Sequence, residues 1–393
     1  MAASGRVWNS MTFHARSICT LGAALLFTAA ANAQIDPLLE LAHHPIQYLP
    51  VSDASTPHGY TPAQIRHAYG VDQLTNQGEG QIIGIVDSND YPDAEADLNT
   101  FSSAFGLPAC TVASGCLTIV YSAGTKPTFN AGATGETSLD LQWSHAIAPQ
   151  AKILLVETPQ GSTGSLLTGV PVAVQNGATV VSMSWGTNHE FAGETKLDAV
   201  YFANHSVTYF NASGDNGNNL FGYPGASQLV VGAGGTTLKL NSAGDILSET
   251  AWSGSGGGES IYFPEPSYQM GAQSTGQRGV PDVAWDSDPN TGFPVYDTYL
   301  GKWGQVGGTS ASSPQWAALT AIANSLRAQA GKSPIGTNFL NAIYQNPLAF
   351  HDITQGSNGS CGAICTAGPG YDFVTGLGSP MAVQVVDALV SAK

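Results

Sequence analysis

Charge is what this chain has least of. Only 10% of its 393 residues are Asp, Glu, Lys or Arg, against about a quarter in an average soluble domain. Cations are the scarcer sign, with 12 Lys and Arg facing 28 Asp and Glu. Such a chain has no basic face for nucleic acid or anionic membrane, so neither is an expected partner. Protonating its carboxylates also leaves little positive excess, which limits acid unfolding by self-repulsion and suits an acidic workplace. Long apolar runs are missing too. The one run, Ile18 to Ala30, is too short to span a bilayer; Arg6 and Arg16 precede it and Ala31-Asn32-Ala33 follows it. That is the pattern of a cleaved export signal over residues 1–33, so the mature chain is expected to start near Gln34, secreted or periplasmic. Its removal leaves ten basic residues against 28 acidic ones, a formal charge of −18.

Cysteine is sparse. Of five, Cys19 leaves with the signal, and the rest form two close pairs, Cys110/Cys116 and Cys361/Cys365. In an exported chain these read as two local disulfides, although four cysteines allow three connectivities. A zinc site is the competing reading, disfavoured by the wide separation of the pairs. Familiar catalytic spellings are absent as well: no Gly-x-Ser-x-Gly around Ser310, no His-Glu-x-x-His and no His-Gly-Thr-His. The first absence excludes a lipase or esterase elbow at Ser310, and the second a zinc peptidase helix.

What the chain does have is alternation. Buried-strand runs at 81–87, 151–156, 179–184, 207–212 and 229–232 are separated by helix-like segments near 94–105, 134–147, 165–176 and 195–205, with a further helix expected from Tyr60 to Arg66. The pattern predicts an α/β fold, a doubly wound, mostly parallel sheet with helices on both faces, in a single domain. Chemistry then belongs at the carboxyl ends of the strands. Residues 34–57 read as an arm or linker. After about residue 236 the chain turns to Gly-, Ser- and Pro-rich loops.

Four places can carry chemistry. Gly307-Gly308-Thr309-Ser310 runs into a long apolar helix with Pro314 near its start, so Ser310 is expected at a helix N-terminus, where free N–H groups stabilise an anion. An N-capping serine is the plainer alternative. Glu136 and Asp140 are four apart on a predicted helix among Leu139, Leu141 and Trp143, so both carboxylates share a face and a proton-sharing pair is favoured over two ionised groups. Two surface acids are the alternative. Asp215 follows an apolar strand and can donate to an oxyanion only while protonated; otherwise it is a turn residue. Near the C-terminus, Asp352-Ile353 and Gly368-Pro369-Gly370-Tyr371-Asp372 set two aspartates beside glycine-exposed carbonyls, which suits a hard cation such as calcium, or simply a turn.

With these pieces in chain order, the sequence resembles the sedolisin family of serine-carboxyl peptidases, relatives of the subtilisins in fold, over about residues 58–393. The resemblance runs from Tyr60-Thr61-Pro62 through Ala148-Pro149-Gln150-Ala151, Ser182-Met183-Ser184-Trp185-Gly186, Gly256–Gly258 and Gly279-Val280-Pro281-Asp282-Val283-Ala284 to Asp372. It implies Ser310 as nucleophile, Glu136 as general base, Asp140 as the residue orienting it and Asp215 as protonated oxyanion donor. It also implies a Ca2+ site on Asp352, Asp372 and the carbonyls of Ile353, Gly368 and Gly370. A carboxylate base with a pKa roughly near 4–5 would work where an imidazole is protonated and useless, so an acidic optimum is expected. About 24 residues separate the expected signal from the catalytic domain, so a member without a large prosegment is expected, with the Cys361/Cys365 pair as a local staple. The expected activity is that of a monomeric endopeptidase acting on proteins or peptides. A tripeptide-removing exopeptidase and a catalytically silent scaffold are the alternatives.

Overall fold

The computed structural model describes residues 1–2, 36–218 and 222–393; the expected signal segment lies almost wholly outside them. Asp36–Lys393 forms one unit. Its strands are β1 (Gln47–Leu49), β2 (Ile82–Ser88), β3 (Leu117–Tyr121), β4 (Lys152–Thr158), β5 (Val180–Met183), β6 (Thr208–Ala212), β7 (Val230–Leu240), β8 (Ile246–Ala251), β9 (Gly258–Pro264), β10 (Gln277–Val280), β11 (Val283–Asp286), β12 (Phe293–Asp297) and β13 (Lys302–Gly307). The helices are α1 (Pro62–Ala68), α2 (Ala94–Phe105), α3 (Ala131–Ile147), α4 (Thr163–Gln175), α5 (Asp198–Tyr201), α6 (Thr309–Gln329), α7 (Asn338–Tyr344) and α8 (Ala382–Ser391).

The main sheet runs β11-β7-β6-β5-β2-β4-β3, with β8 antiparallel on β7 and every other neighbour pair parallel. Its central strands are nearly continuous Val, Ile and Leu because helices cover both faces. Leu98, Phe101, Leu139, Trp143, Trp316 and Leu319 lie in one apolar core; Leu166, Leu167 and Val170 of α4 join Met183, Trp185 and Tyr209 in a second. The expected doubly wound α/β architecture in one domain is therefore observed. Strand β2 lies between β4 and β5, so chain order reverses there and opens a crevice at the carboxyl ends of β2 and β5.

Two expectations change. β3 and β11 are parallel strands that periodicity did not single out, and the loop-rich region after 236 contains β8 to β13, including the antiparallel pair β12–β13. Short, Gly-interrupted strands carry too little alternation to register. The segment expected as a helix near 195–205 shrinks to a single turn, Asp198–Tyr201, after a 3₁₀ turn.

Candidate active site

Ser310 is the second residue of α6 and is fully buried. The chain reaches it from β13 through Gly308, whose φ of 105° favours glycine. A Cβ there would collide with the carbonyl oxygen of Pro45 and with Asp215 Oδ2. Pro314 lies inside α6 rather than at its first position. Lacking an N–H, it leaves the carbonyl of Ser310 without its helical donor. Ser184 Oγ fills that gap, 3.4 Å from the Ser310 oxygen and 2.9 Å from Asp140 Oδ1, to which it donates.

Helix α3 explains how two acids become internal. Every residue from Thr134 to Ile147 is buried, so this is a core helix with no solvated face for Glu136 and Asp140 to use. The surface alternative is thereby removed. Burial, above all, pushes both carboxyls well above the ordinary range. Asp87, at the end of β2, adds to the rise in each; its own carboxyl is pushed up to about 7, again by burial, with Thr137 partly easing it. Ser310 is close enough to favour the ionised form of Glu136, yet neither Ser310 Oγ nor either Glu136 oxygen has a regular hydrogen bond among the described residues. This differs from the expected base near pH 4–5, because three carboxyls are packed together in a dry cleft. Asp87 is the residue sequence reasoning missed. Its only signal was position, an acid ending a buried strand beside the topological switch.

Asp215 follows β6 and is held against Thr309, the residue before Ser310. Its Oδ1 accepts from the Thr309 N–H (2.8 Å) and hydroxyl (3.1 Å), while Oδ2 has no partner. Burial raises its pKa to about 7 despite those hydrogen bonds and a contribution from Gln47. A protonated Oδ2 is therefore a ready donor in acid. No histidine among the described residues bonds to Ser310; His145, for example, is tied to Pro108 O at 2.8 Å.

The cleft over Ser310 is lined by the arm, residues 38–49. Ala42 N donates to Gly161 O (2.7 Å), and His43 and Gly186 exchange backbone bonds of 2.8 and 3.1 Å. Ser310 N donates to Pro45 O (3.1 Å). Beyond it, β1 pairs antiparallel with β13, Gln47 opposite Gly307. Tyr48 is half-exposed overall but its hydroxyl lies against α3 at Gly135, where loss of hydration, above all, and the nearby Glu136 carboxylate raise its phenol.

Toward the C-terminus, two aspartates flank one loop. Asp352 Oδ2 accepts from Gly370 N (3.0 Å) and Asp372 Oδ2 from Gly368 N (3.2 Å). No hydrogen bond of the described residues reaches the carbonyls of Ile353, Gly368 or Gly370. Two carboxylates and three free carbonyls fit an oxygen-preferring cation. Both cysteine pairs form disulfides, Cys110–Cys116 and Cys361–Cys365. The Cys110, Cys116 and His145 side chains do lie together, but the disulfide removes the thiolates that zinc would need.

Comparisons with known proteins bear on the family and the fold. The profile described as the subtilase family matches residues 121–344. Kumamolisin of Bacillus sp. (strain MN-32) is 35% identical over 374 residues, covering 86% of this chain and 65% of its own length. Tripeptidyl-peptidase 1 of Dictyostelium discoideum is 31% identical over 330 residues, covering 72% of this chain and 50% of its own. The chain thus spans less than two thirds of the length of these two relatives. Among solved structures, Pseudomonas sedolisin, titled a serine-carboxyl proteinase complexed with two molecules of pseudo-iodotyrostatin, superposes with a TM-score of 0.68 at 27% identity, over 85% of this chain and 98% of that one. The chain belongs to the subtilase family and, within it, to the sedolisins.

Proposed function

We propose that this protein is an exported, acid-active serine-carboxyl endopeptidase, with a signal at residues 1–33, an arm at 34–57 and a catalytic domain at 58–393, working as a monomer on proteins or peptides. The observation that carries this reading is a buried serine hydroxyl free of hydrogen bonds, flanked by the Glu136/Asp140 pair and by Asp215, with no histidine attached.

Ser310 Oγ attacks the substrate carbonyl while Glu136, in the molecules where the protons of the cluster sit on Asp140 and Asp87 and leave it ionised, takes its proton. Asp140, held by Ser184, orients Glu136 and shares the proton load with Asp87. The Ser310 N–H and protonated Asp215 hold the oxyanion. Glu136 then protonates the leaving amine, and the ester is hydrolysed by water that Glu136 activates. Since Asp215 donates only while protonated, activity falls as pH rises through about 7. Endopeptidase action is favoured over removal of N-terminal tripeptides because the cleft holds chain well beyond three residues on the acyl side of Ser310, from Leu38 to Pro45. Asp352, Asp372 and the carbonyls of Ile353, Gly368 and Gly370 would hold Ca2+, whose role is to tie down the C-terminal loops.

Hydrolysis of an unfolded protein from roughly pH 2 to 8, with wild type beside Ser310→Ala, tests the reading. Acid-limited cleavage lost in the variant is expected. Full activity at pH 8, or activity surviving in Ser310→Ala, refutes it; no cleavage by a folded, calcium-supplied chain favours the silent scaffold.

A further inference from the structure

One cluster of soft ligands takes no part in the chemistry at Ser310. Cys110 and Cys116 lie in the loop between α2 and β3, and His145 is on α3. One ligand atom from each lies within 4.8 Å of the others. The imidazole is fully buried; its Nε2 donates to Pro108 O at 2.8 Å, and its Nδ1 has no partner. A carbonyl only accepts, so that bond places the proton on Nε2 and leaves a bare lone pair on Nδ1. A metal-binding histidine is oriented in the same way, by donating its other N–H to a carbonyl. A disulfide needs no such neighbour, and a buried acceptor left unpaired is costly. The three residues are also held without the S–S bond. Asn99 of α2 grips the Cys110 backbone twice, Nδ2 donating to Cys110 O and Oδ1 accepting from Cys110 N, both at 2.9 Å. Cys116 O accepts from Ile153 N of β4 at 2.7 Å. Cutting the S–S bond therefore frees two sulfurs but not the backbone that carries them.

We propose that, once this disulfide is reduced, Cys110, Cys116 and His145 Nδ1 form a site for a thiolate-preferring divalent ion such as zinc, with water as the fourth ligand. A phosphine can supply the electrons: two pass from phosphorus to the sulfurs, water provides the two thiol protons, and its oxygen stays on phosphorus. The ion then displaces both thiol protons, and two metal–sulfur bonds and one metal–nitrogen bond form. With Zn–S of about 2.3 Å a tetrahedral ion sets the sulfurs roughly 3.7 Å apart. Cys116 is the partly exposed member, so ion and water enter from its side. Ion and disulfide exclude one another. The loop is closed on itself by sulfur in oxidising surroundings and pinned to α3, the helix of Glu136 and Asp140, by the ion in reducing ones.

The probe is Co2+, which thiolate ligation marks with a near-ultraviolet charge-transfer band and tetrahedral geometry with strong visible bands. The full chain as Ser310→Ala, carrying Cys19→Ser, Cys361→Ser and Cys365→Ser so that only Cys110 and Cys116 can report, is reduced with a phosphine near pH 7 without air. It is titrated with Co2+ in excess calcium, and near-ultraviolet circular dichroism follows its fold. One Co2+ per chain with both sets of bands, displaced by one equivalent of Zn2+ and absent before reduction, is expected. His145→Gln, whose amide can still donate to Pro108 O, should weaken binding at least tenfold, and Cys110→Ser at least as much. A reduced chain with no thiolate band overturns the proposal, as does one that loses its folded dichroism. Undiminished binding in His145→Gln or in Cys110→Ser overturns it as well, and so does equal affinity in the oxidised chain.

Discussion

Raising the pH should unfold this protein, and the effect can be sized from single groups. The Asp215 carboxyl rises on folding from 3.8 to about 7. Between those values the folded chain keeps a proton that the unfolded chain has lost, so stability is lost as pH rises through the window. At 1.36 kcal/mol per unit this is about 4 kcal/mol. With a melting entropy of roughly 2 cal/mol/K per residue in a body this large, that converts to about 5 °C. Asp87 rises to the same extent, and Glu194 rises further, to about 9. His44, half-buried with its Nδ1 shut away from solvent and its pKa lowered to about 4 chiefly by that loss of hydration, opposes them. It is neutral in the fold, so it adds about 3 kcal/mol as pH rises from 4 to its unfolded value near 6.5. The carboxyls outnumber it, and above about pH 6.5 its opposition is spent. Calorimetry on Ser310→Ala, which cannot digest itself, should show Tm falling from pH 4 to 8, with the contributions of Asp215 and Asp87 exhausted by about pH 7. Asp215→Asn should remove about 5 °C of that dependence. A Tm that is flat or rising between pH 4 and 7 would refute the reasoning.

Ser184→Ala removes the hydroxyl that holds Asp140 and should lower kcat about tenfold to a hundredfold with KM little changed, since that hydroxyl bonds to Asp140 and the Ser310 carbonyl; a change confined to KM would contradict the positioning role. In Gly308→Ala a side chain meets both Pro45 O and Asp215 Oδ2 at a left-handed φ, so a loss of about 1–3 kcal/mol is expected in denaturant titrations, and an unchanged midpoint would argue against the geometry. Calcium at a hundredfold excess over its Kd should add about 2.7 kcal/mol of stability, and Asp352→Asn combined with Asp372→Asn should abolish the response; a response that persists would place the ion elsewhere.

Local chemistry made much of this protein legible in advance. Runs such as Ile82–Val86 and Ile153–Val156 are apolar because both faces of their strands are covered, so the parallel sheet could be read from one dimension. The i, i+4 spacing of Glu136 and Asp140, and a serine after two glycines at a helix start, are likewise local facts, and both acids and Ser310 occur where helical geometry puts them. Three things depended on the fold. Asp87 joins the acid pair only because β2 lies at the switch of strand order beside α3. Ser184 reaches both Asp140 and the carbonyl left free by Pro314 only because β5 ends beneath α6. The arm, with no periodicity to announce it, is organised by backbone bonds to Gly161, Gly186 and Ser310 that are remote in sequence. Composition, period and spacing act over a few residues, and so the sequence by itself determined the central strands and helices and pointed to Ser310, Glu136, Asp140 and Asp215 as candidate groups. Which carboxyls raise one another's pKa, and what lies across Ser310, depend on contacts between segments remote in sequence, Asp87 with Glu136 and Asp140 and Pro45 with Ser310, and only the tertiary structure decided them.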